Sequence, residues 1–281
     1  MIIRLLVVGC LGFCSYNTQY KEKDRIVKID KIKKLYEIGG GQYYQSFPEK
    51  VKVALRIDDE NNSIDATGHF ERERFEFIKK YVDFKEAKVL DIGANQGYFS
   101  FESADLDATE VLAIEGRKDY VTFIDKLAKI LDVNIVTKNS FLDFSKDLEG
   151  KFFSIIYNLN VIHHLGGDFG DGKLAKQQAL NEMAATFKHL GDKCNTMIFS
   201  IGFNWKGDKN EPLFDFGTKV EIIDFVKKSI NGLFTIKAIG IAETVGNKIE
   251  YKLLDSININ RNDALGEFLN RPLFILESNI K

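Results

Sequence analysis

Cysteine is scarce in this chain: Cys10, Cys14 and Cys194 are the only three in 281 residues. Three thiols so scattered build neither a disulfide framework nor a zinc site, which points to a reducing compartment. Cys10 and Cys14 stand at a ligand-like spacing, but without a second pair they read as ordinary thiols. An excess of charge is missing as well, since 39 Lys and Arg face 41 Asp and Glu for a formal net charge of -2. Nucleic acid, whose binding rests on a concentrated basic surface, is thereby disfavoured as a partner. Apolar runs of membrane-spanning length are lacking too. The stretch from Ile2 to Phe13 falls short of the ~20 residues that a bilayer takes. It looks like a short secretion signal, with Val8-Gly9-Cys10 like a lipoprotein cleavage box, yet a single basic residue precedes the apolar run. The expectation is a cytoplasmic protein with this stretch as a buried element, a membrane-surface contact or the product of an early start codon; export is the alternative. The chain shows no internal repeat and no low-complexity tract.

What is present suffices for a full core. At 44% hydrophobic composition the chain fits one large α/β domain with an added segment, or two small domains. The expected division is an N-terminal extension or lid over 1–67 and a main domain over 68–281. Within the extension, Ile26, Ile29, Ile32 and Leu35 recur at helical spacing among Lys21, Lys23, Arg25, Lys28, Lys31, Lys33 and Lys34. That is an amphipathic basic helix. Its expected place is a solvated cover on the core, the functional alternative being peripheral contact with an anionic membrane surface or a polyanionic substrate. Gly39-Gly40-Gly41 breaks it, and Tyr43, Tyr44, Phe47 and Pro48 follow, as part of a lid or as a turn packed by its own rings.

From there strands and helices alternate. The patterns predict a helix over 70–81, strands over 88–92, 111–114, 134–137, 152–159 and 196–201, and helices over 120–131 and 174–190. Such an order implies a parallel sheet with helices on both faces and right-handed crossovers. A helix over 220–230, a strand over 234–242 and an apolar strand over 273–277 come next. Ile249 to Leu254 has the pattern of an extra hairpin strand, with no place assigned to it.

The most informative stretch is Val89-Leu90-Asp91-Ile92-Gly93-Ala94-Asn95-Gln96-Gly97-Tyr98-Phe99-Ser100. An apolar strand runs into a glycine turn, where the backbone approaches a ligand closely, and then into a helix. The next strand ends on Glu115, an acid placed to grip a ribose through both hydroxyls. Together these describe a nucleoside-containing cofactor. A dinucleotide fingerprint would carry a third glycine and seat a pyrophosphate, which Asp91 just before the loop would repel. Asp91 suits a ligand with an ammonium and a sulfonium, as S-adenosylmethionine has.

Asp91 to Gly97 resembles the first motif of class I S-adenosylmethionine-dependent methyltransferases, and Glu115 the ribose-binding acid of their second. The resemblance implies a Rossmann-like, doubly wound α/β fold. Its sheet would be mostly parallel and seven-stranded, with Leu273 to Glu277 as an antiparallel last strand, behind an N-terminal helical extension. It implies S-adenosylmethionine as cofactor, contacted by Asp91, Gly93, Asn95, Gly97 and Glu115. Ser140 and Phe141 after the third strand fall where the family contacts adenine.

Asn160-Val161-Ile162-His163-His164-Leu165 resembles the fourth motif of many small-molecule methyltransferases, where the strand end faces methionine and the substrate. Asn160 is then a cofactor contact. His163 or His164 could take the proton from a hydroxyl, given an unperturbed pKa of ~6.5; the alternative is that either one caps or hydrogen-bonds locally. The loop Gly166 to Gly172 carries Asp168 and Asp171, better placed for substrate than for a cation, and no metal is expected. Trp205, the only tryptophan, either stacks on a sugar or ring or packs its own loop.

The N-terminal segment, the acidic glycine loop and Asn270-Arg271-Pro272-Leu273-Phe274 look like methyltransferases of bacterial surface-polysaccharide pathways, including those that cap O-antigen chains. The implied acceptor is a hydroxyl or phosphate of a glycan or small molecule. Rival readings are a tRNA or RNA methyltransferase, a non-catalytic cofactor-binding scaffold and, last, a nicotinamide-dependent oxidoreductase. Nothing in the sequence sets an oligomeric state.

Overall fold

Five parallel strands carry the centre of the sheet: β1 (Lys88–Ile92), β2 (Glu110–Glu115), β3 (Ile135–Asn139), β4 (Phe153–Leu159) and β5 (Cys194–Ser200). The computed structural model describes residues 45–55, 69–144 and 146–280. The Ile2 to Phe13 run, the Lys21 to Lys34 helix, the glycine break at Gly39 to Gly41, Tyr43 and Tyr44 all lie outside the described residues.

The order across the sheet is β3-β2-β1-β4-β5-β8-β6-β7, with β6 (Phe234–Val245), β7 (Lys248–Leu253) and β8 (Leu273–Ser278) completing it. β8 runs antiparallel to both β5 and β6, and β7 runs antiparallel to β6. Among the described residues the sheet therefore has eight strands, one more than the family resemblance implied. The extra one is the unplaced Ile249 to Leu254 segment, which hairpins onto β6 through the two-residue turn Gly246-Asn247. Gly246 sits there at φ +64°, a backbone conformation that glycine adopts without steric cost. The strand order reverses at β1, whose neighbours are β2 on one side and β4 on the other. In an open α/β sheet that crevice is where ligands bind.

Helices cover both faces, as the near-continuous burial of β1 and β4 requires. Side chains alternate between the two layers with the period of two that a strand imposes. Val89, Ala113, Ile155, Tyr157 and Ile198 face one core with α1 (Glu49–Leu55), α2 (Glu71–Ile78), α3 (Tyr98–Asp105) and α4 (Lys118–Leu131). Leu90, Ile114, Ile156, Met197 and Phe199 face the other with α5 (Lys176–Gly191) and α6 (Lys219–Ser229). A short helix, α7 (Gly266–Leu269), precedes β8. The described part of the expected extension is no separate layer: Val51 and Leu55 of α1 enter the first core, and Phe47 stacks on Phe123 at 5.8 Å.

Most boundaries fall within two or three residues of the sequence reading. β3 is displaced toward Asn139, so Asn139 closes the strand rather than following it. The helix read over 70–81 stops at Ile78 in α-helical form.

Candidate functional site

The loop leaving β1 is tied to β2 from the start. The backbone N–H groups of Gly93 and Ala94 both donate to Ile114 O, at 2.9 and 3.1 Å. Gly93 lies at φ +67°, and a Cβ there would stand 2.7 Å from Val161 Cγ2, so both conformation and space call for glycine. Asn95 N–H donates to Glu115 Oε2 at 2.8 Å and Arg117 N–H to Glu115 Oε1 at 2.8 Å. A carboxylate has about four lone-pair sites. Two are spent on fixing its orientation, and two remain for a ligand.

Asp91 is buried and accepts from Ser100 Oγ at 2.6 Å. Burial pushes its carboxyl up to about 6, against the opposing Ser100 hydrogen bond and with help from the nearby Glu115 carboxylate. A cation beside it would be strongly favoured, since it would relieve the cost of ionising there.

These groups open onto a cavity of about 570 Å³, within the range of small-molecule sites. The cavity brings together Asp91, Gly93, Asn95, Glu115, Ser140 and Phe141 with Asn160, His164 and Asp168. Phe141 is 57% exposed and stacks on Phe169 at 6.4 Å, so the pair forms a lip over the crevice. The remaining sequence-predicted residues sit elsewhere. Gly97 ends the loop at the start of α3 without lining the cavity. His163 is 2% exposed and accepts the N–H of Gly202 on Nδ1 at 3.3 Å, with burial holding its pKa well below the usual imidazole range. Asp171 accepts from Lys173 N–H at 2.9 Å in a local turn. Trp205 is buried and donates from Nε1 to Leu165 O at 2.7 Å, so it packs the loop instead of walling the site.

The two histidines thus part company. His164 lines the cavity and faces Asp168 across 3.1 Å from Nδ1 to Oδ2. Burial lowers its pKa, Asp168 raises it, Arg271 lowers it, and the balance lies below the ordinary value. At neutral pH the ring is therefore neutral, with its proton on Nδ1 toward the carboxylate.

Several cavity residues carried no sequence signal. Arg74, in a Glu-Arg-Glu-Arg run that reads as a solvated helix face, is 5% exposed with its guanidinium 5.2 Å from the Phe99 ring and 5.1 Å from the Phe268 ring. It meets Glu71 at 3.4 Å, and its Nε has no partner among the described residues. Gln45 accepts from Tyr98 N–H at 3.2 Å and closes the cavity from the N-terminal side. Arg117 lies over the Tyr120 ring at 4.0 Å beside Glu115.

The residues fit a nucleoside cofactor bearing an amino acid. Glu115 has free acceptor sites for ribose hydroxyls, buried Asp91 for an ammonium, and the unpartnered Arg74 Nε a donor for a carboxylate. Among the described residues no group of three or more His, Cys, Asp and Glu side chains is placed to hold a metal ion. No helix among them is long and apolar enough to cross a membrane.

Neither a protein-family model nor a curated protein sequence matches the chain. Solved structures match it in shape. WbdD in complex with a kinase inhibitor superposes with a TM-score of 0.53 at 14% identity, over 88% of this chain and 47% of that one. A second structure, of the bifunctional kinase-methyltransferase WbdD, gives 0.53 at 14% identity, over 88% and 46%. The fold is shared with WbdD. This chain spans about half of its length. An S-adenosylmethionine-dependent methyltransferase from Listeria monocytogenes, so described as putative, aligns at 0.47 and 14% identity over 74% of this chain and 96% of that one.

Proposed function

We propose that the chain is an S-adenosylmethionine-dependent methyltransferase acting on a small-molecule or glycan acceptor through a hydroxyl or phosphate. The observation that carries this reading is the joining of buried Asp91 and backbone-tied Glu115 in one cavity at the carboxyl ends of β1 and β2. The fold shared with WbdD supports it. When bound, the cofactor supplies an electrophilic methyl group on a sulfonium.

The chain's own work is orientation, exclusion of water and movement of a proton. Glu115 holds the ribose, Ser140 and Phe141 meet the base, and Asp91, Gly93, Asn95, Gly97, Asn160 and Arg74 surround the amino-acid end. His164, with Nδ1–H committed to Asp168, offers Nε2 to the acceptor as general base. Gln45, tied to α3 through its contact with Tyr98, closes the cavity from the N-terminal side, which supports the cover expected of the N-terminal extension. The basic Lys21 to Lys34 segment would hold the enzyme against an anionic membrane face near surface-polysaccharide precursors, on the cytoplasmic side.

Calorimetry with S-adenosylhomocysteine and transfer of labelled methyl to lysate fractions of glycan, RNA and small metabolites test the reading. Label is expected in the glycan or small-metabolite fraction. Label in RNA, with salt-sensitive RNA binding, would overturn the acceptor class; absence of S-adenosylhomocysteine binding would overturn the whole.

A further inference from the structure

We propose that the acceptor group is a hydroxyl, recognised by one donor and one acceptor fixed after β4: Asn160 Nδ2, positioned by Arg271, and His164 Nε2, positioned by Asp168. This rests on the methyl-transfer reading and narrows its acceptor.

Asn160 Oδ1 accepts from Arg271 Nη1 at 3.1 Å and from Ser200 Oγ at 3.4 Å. A guanidinium has only donors, so the amide must turn its oxygen toward Arg271 and its NH₂ away. Arg271 is itself clamped. Its Nε and Nη2 donate to Glu267 Oε1 and Oε2 at 3.0 and 2.8 Å, the fork-on-fork geometry that fixes both planes. Glu267 also accepts the Phe203 N–H at 3.3 Å, which anchors the clamp to the loop after β5. Asn160 lines the cavity at φ +60°, with Nδ2 free of partners among the described residues. Its backbone N–H donates to Ser200 O at 2.8 Å, which leaves the carbonyl oxygen for the cofactor, and its side chain can only donate.

His164 is the reverse case. Asp168 faces Nδ1 at 3.1 Å, so the neutral ring keeps its proton there and a lone pair on Nε2. A donor and an acceptor lining one cavity match a hydroxyl. Its oxygen takes one N–H from Asn160, keeps a second lone pair for the methyl, and gives its proton to the imidazole. A neutral amine has one lone pair, which the Asn160 N–H would occupy. Phosphate or carboxylate, ionised at neutral pH, brings no proton for His164 and meets the Asp168 carboxylate in the same cavity.

The step balances. The hydroxyl O–H bond breaks and its proton moves to His164 Nε2; the O–CH₃ bond forms as the S–CH₃ bond breaks, and the bonding pair stays on sulfur as a thioether. The imidazolium rests against Asp168 and returns its proton to solvent.

The test examines the linkage of labelled methyl incorporated into lysate by wild type, Asn160→Asp, Arg271→Lys and the double variant, with S-adenosylhomocysteine calorimetry alongside. The expected product is an uncharged, alkali-stable methyl ether. Asn160→Asp, which cannot donate, should lower incorporation ~10²-fold or more. Arg271→Lys alone should cost ~10-fold by loosening the amide, and nothing further in the Asn160→Asp background. S-adenosylhomocysteine affinity should stay within about twofold in Arg271→Lys. Methanol released by mild alkali marks a carboxyl ester, label recovered as an alkali-stable anionic methyl phosphate marks phosphate, and label among amines marks nitrogen; any of the three overturns the proposal. So does a parallel fall of cofactor affinity and transfer in Arg271→Lys, which would make its role structural. A wild type that binds no S-adenosylhomocysteine, or binds it and labels nothing, overturns the methyl-transfer reading and this proposal together.

Discussion

The backbone N–H of Asn95 donates to Glu115 Oε2 at 2.8 Å, which makes the loop ending β1 and the carboxylate ending β2 one hydrogen-bonded unit. Arg117 N–H closes the other oxygen from the opposite side. Glu115→Ala removes the proposed ribose acceptor and releases both backbone donors. S-adenosylhomocysteine binding should weaken by ~1–3 kcal/mol in calorimetry. Glu115→Gln, which keeps one acceptor oxygen, should fall between; unchanged affinity in the alanine variant would remove Glu115 from the site.

Asp91 supplies a pH prediction. Its carboxyl titrates near about 6 in the folded protein against an ordinary 3.8, so the folded state binds the proton more tightly. Between those values stability falls as pH rises, and the deficit is complete above about 6. Asp91→Asn should therefore raise the urea midpoint at neutral pH and leave it nearly unchanged where both states are protonated. Ligand affinity runs the other way. An ammonium favours the ionised carboxylate, so S-adenosylhomocysteine should bind more tightly with rising pH, by up to ~10-fold per unit below 6. The Asn variant should show a flat profile.

Asp168→Asn should lower methyl transfer ~10²-fold by leaving the His164 tautomer undetermined. Cofactor affinity should not change. Burial already holds the His164 pKa down and Asp168 opposes it, so removing the carboxylate should move the acid limb of the rate profile to still lower pH. A limb that moves upward, or does not move, would separate Asp168 from His164 in the chemistry.

Trp205→Phe loses the 2.7 Å bond from Nε1 to Leu165 O beneath the turn that carries His164. Urea unfolding should show a loss of ~1 kcal/mol. S-adenosylhomocysteine affinity should be unaffected, because the ring packs the loop and does not line the cavity.

The parts of the fold that were legible in the sequence are those that local pattern determines. The apolar runs over 88–92 and 152–159, buried on both faces, read as parallel strands, and Leu273 to Glu277 as an apolar strand whose antiparallel place beside β5 was implied by the family resemblance. The Asp91 to Gly97 loop and Glu115 were visible for the same reason: a turn and a strand tip are contiguous in sequence. The eighth strand was visible as a segment but not as a position, since only tertiary packing decides which edge a hairpin joins. The pair His163-His164 shows the limit most clearly. Adjacent identical side chains are indistinguishable until a 3₁₀ turn sends one into the core against Gly202 and the other into the cavity. Arg74 drew no notice in the sequence, and Arg271 only as part of the Asn270 to Phe274 resemblance. What gives them a place in the site lies across the fold: the Phe99 and Phe268 rings for Arg74, and Asn160, 111 residues away, for Arg271.

β8 lies between β5 and β6, although β6 and β7 precede it in the chain. Its residues Leu273, Phe274, Ile275 and Leu276 are buried. During synthesis, therefore, two apolar strand borders stand bare until the wedge that joins them emerges from the ribosome. Bare borders of that kind recruit stray strands from other chains. This protein should depend on holding chaperones until Leu273 to Ser278 has emerged, and a ribosome stalled just short of Leu273 should leave an aggregation-prone, not merely inactive, polypeptide.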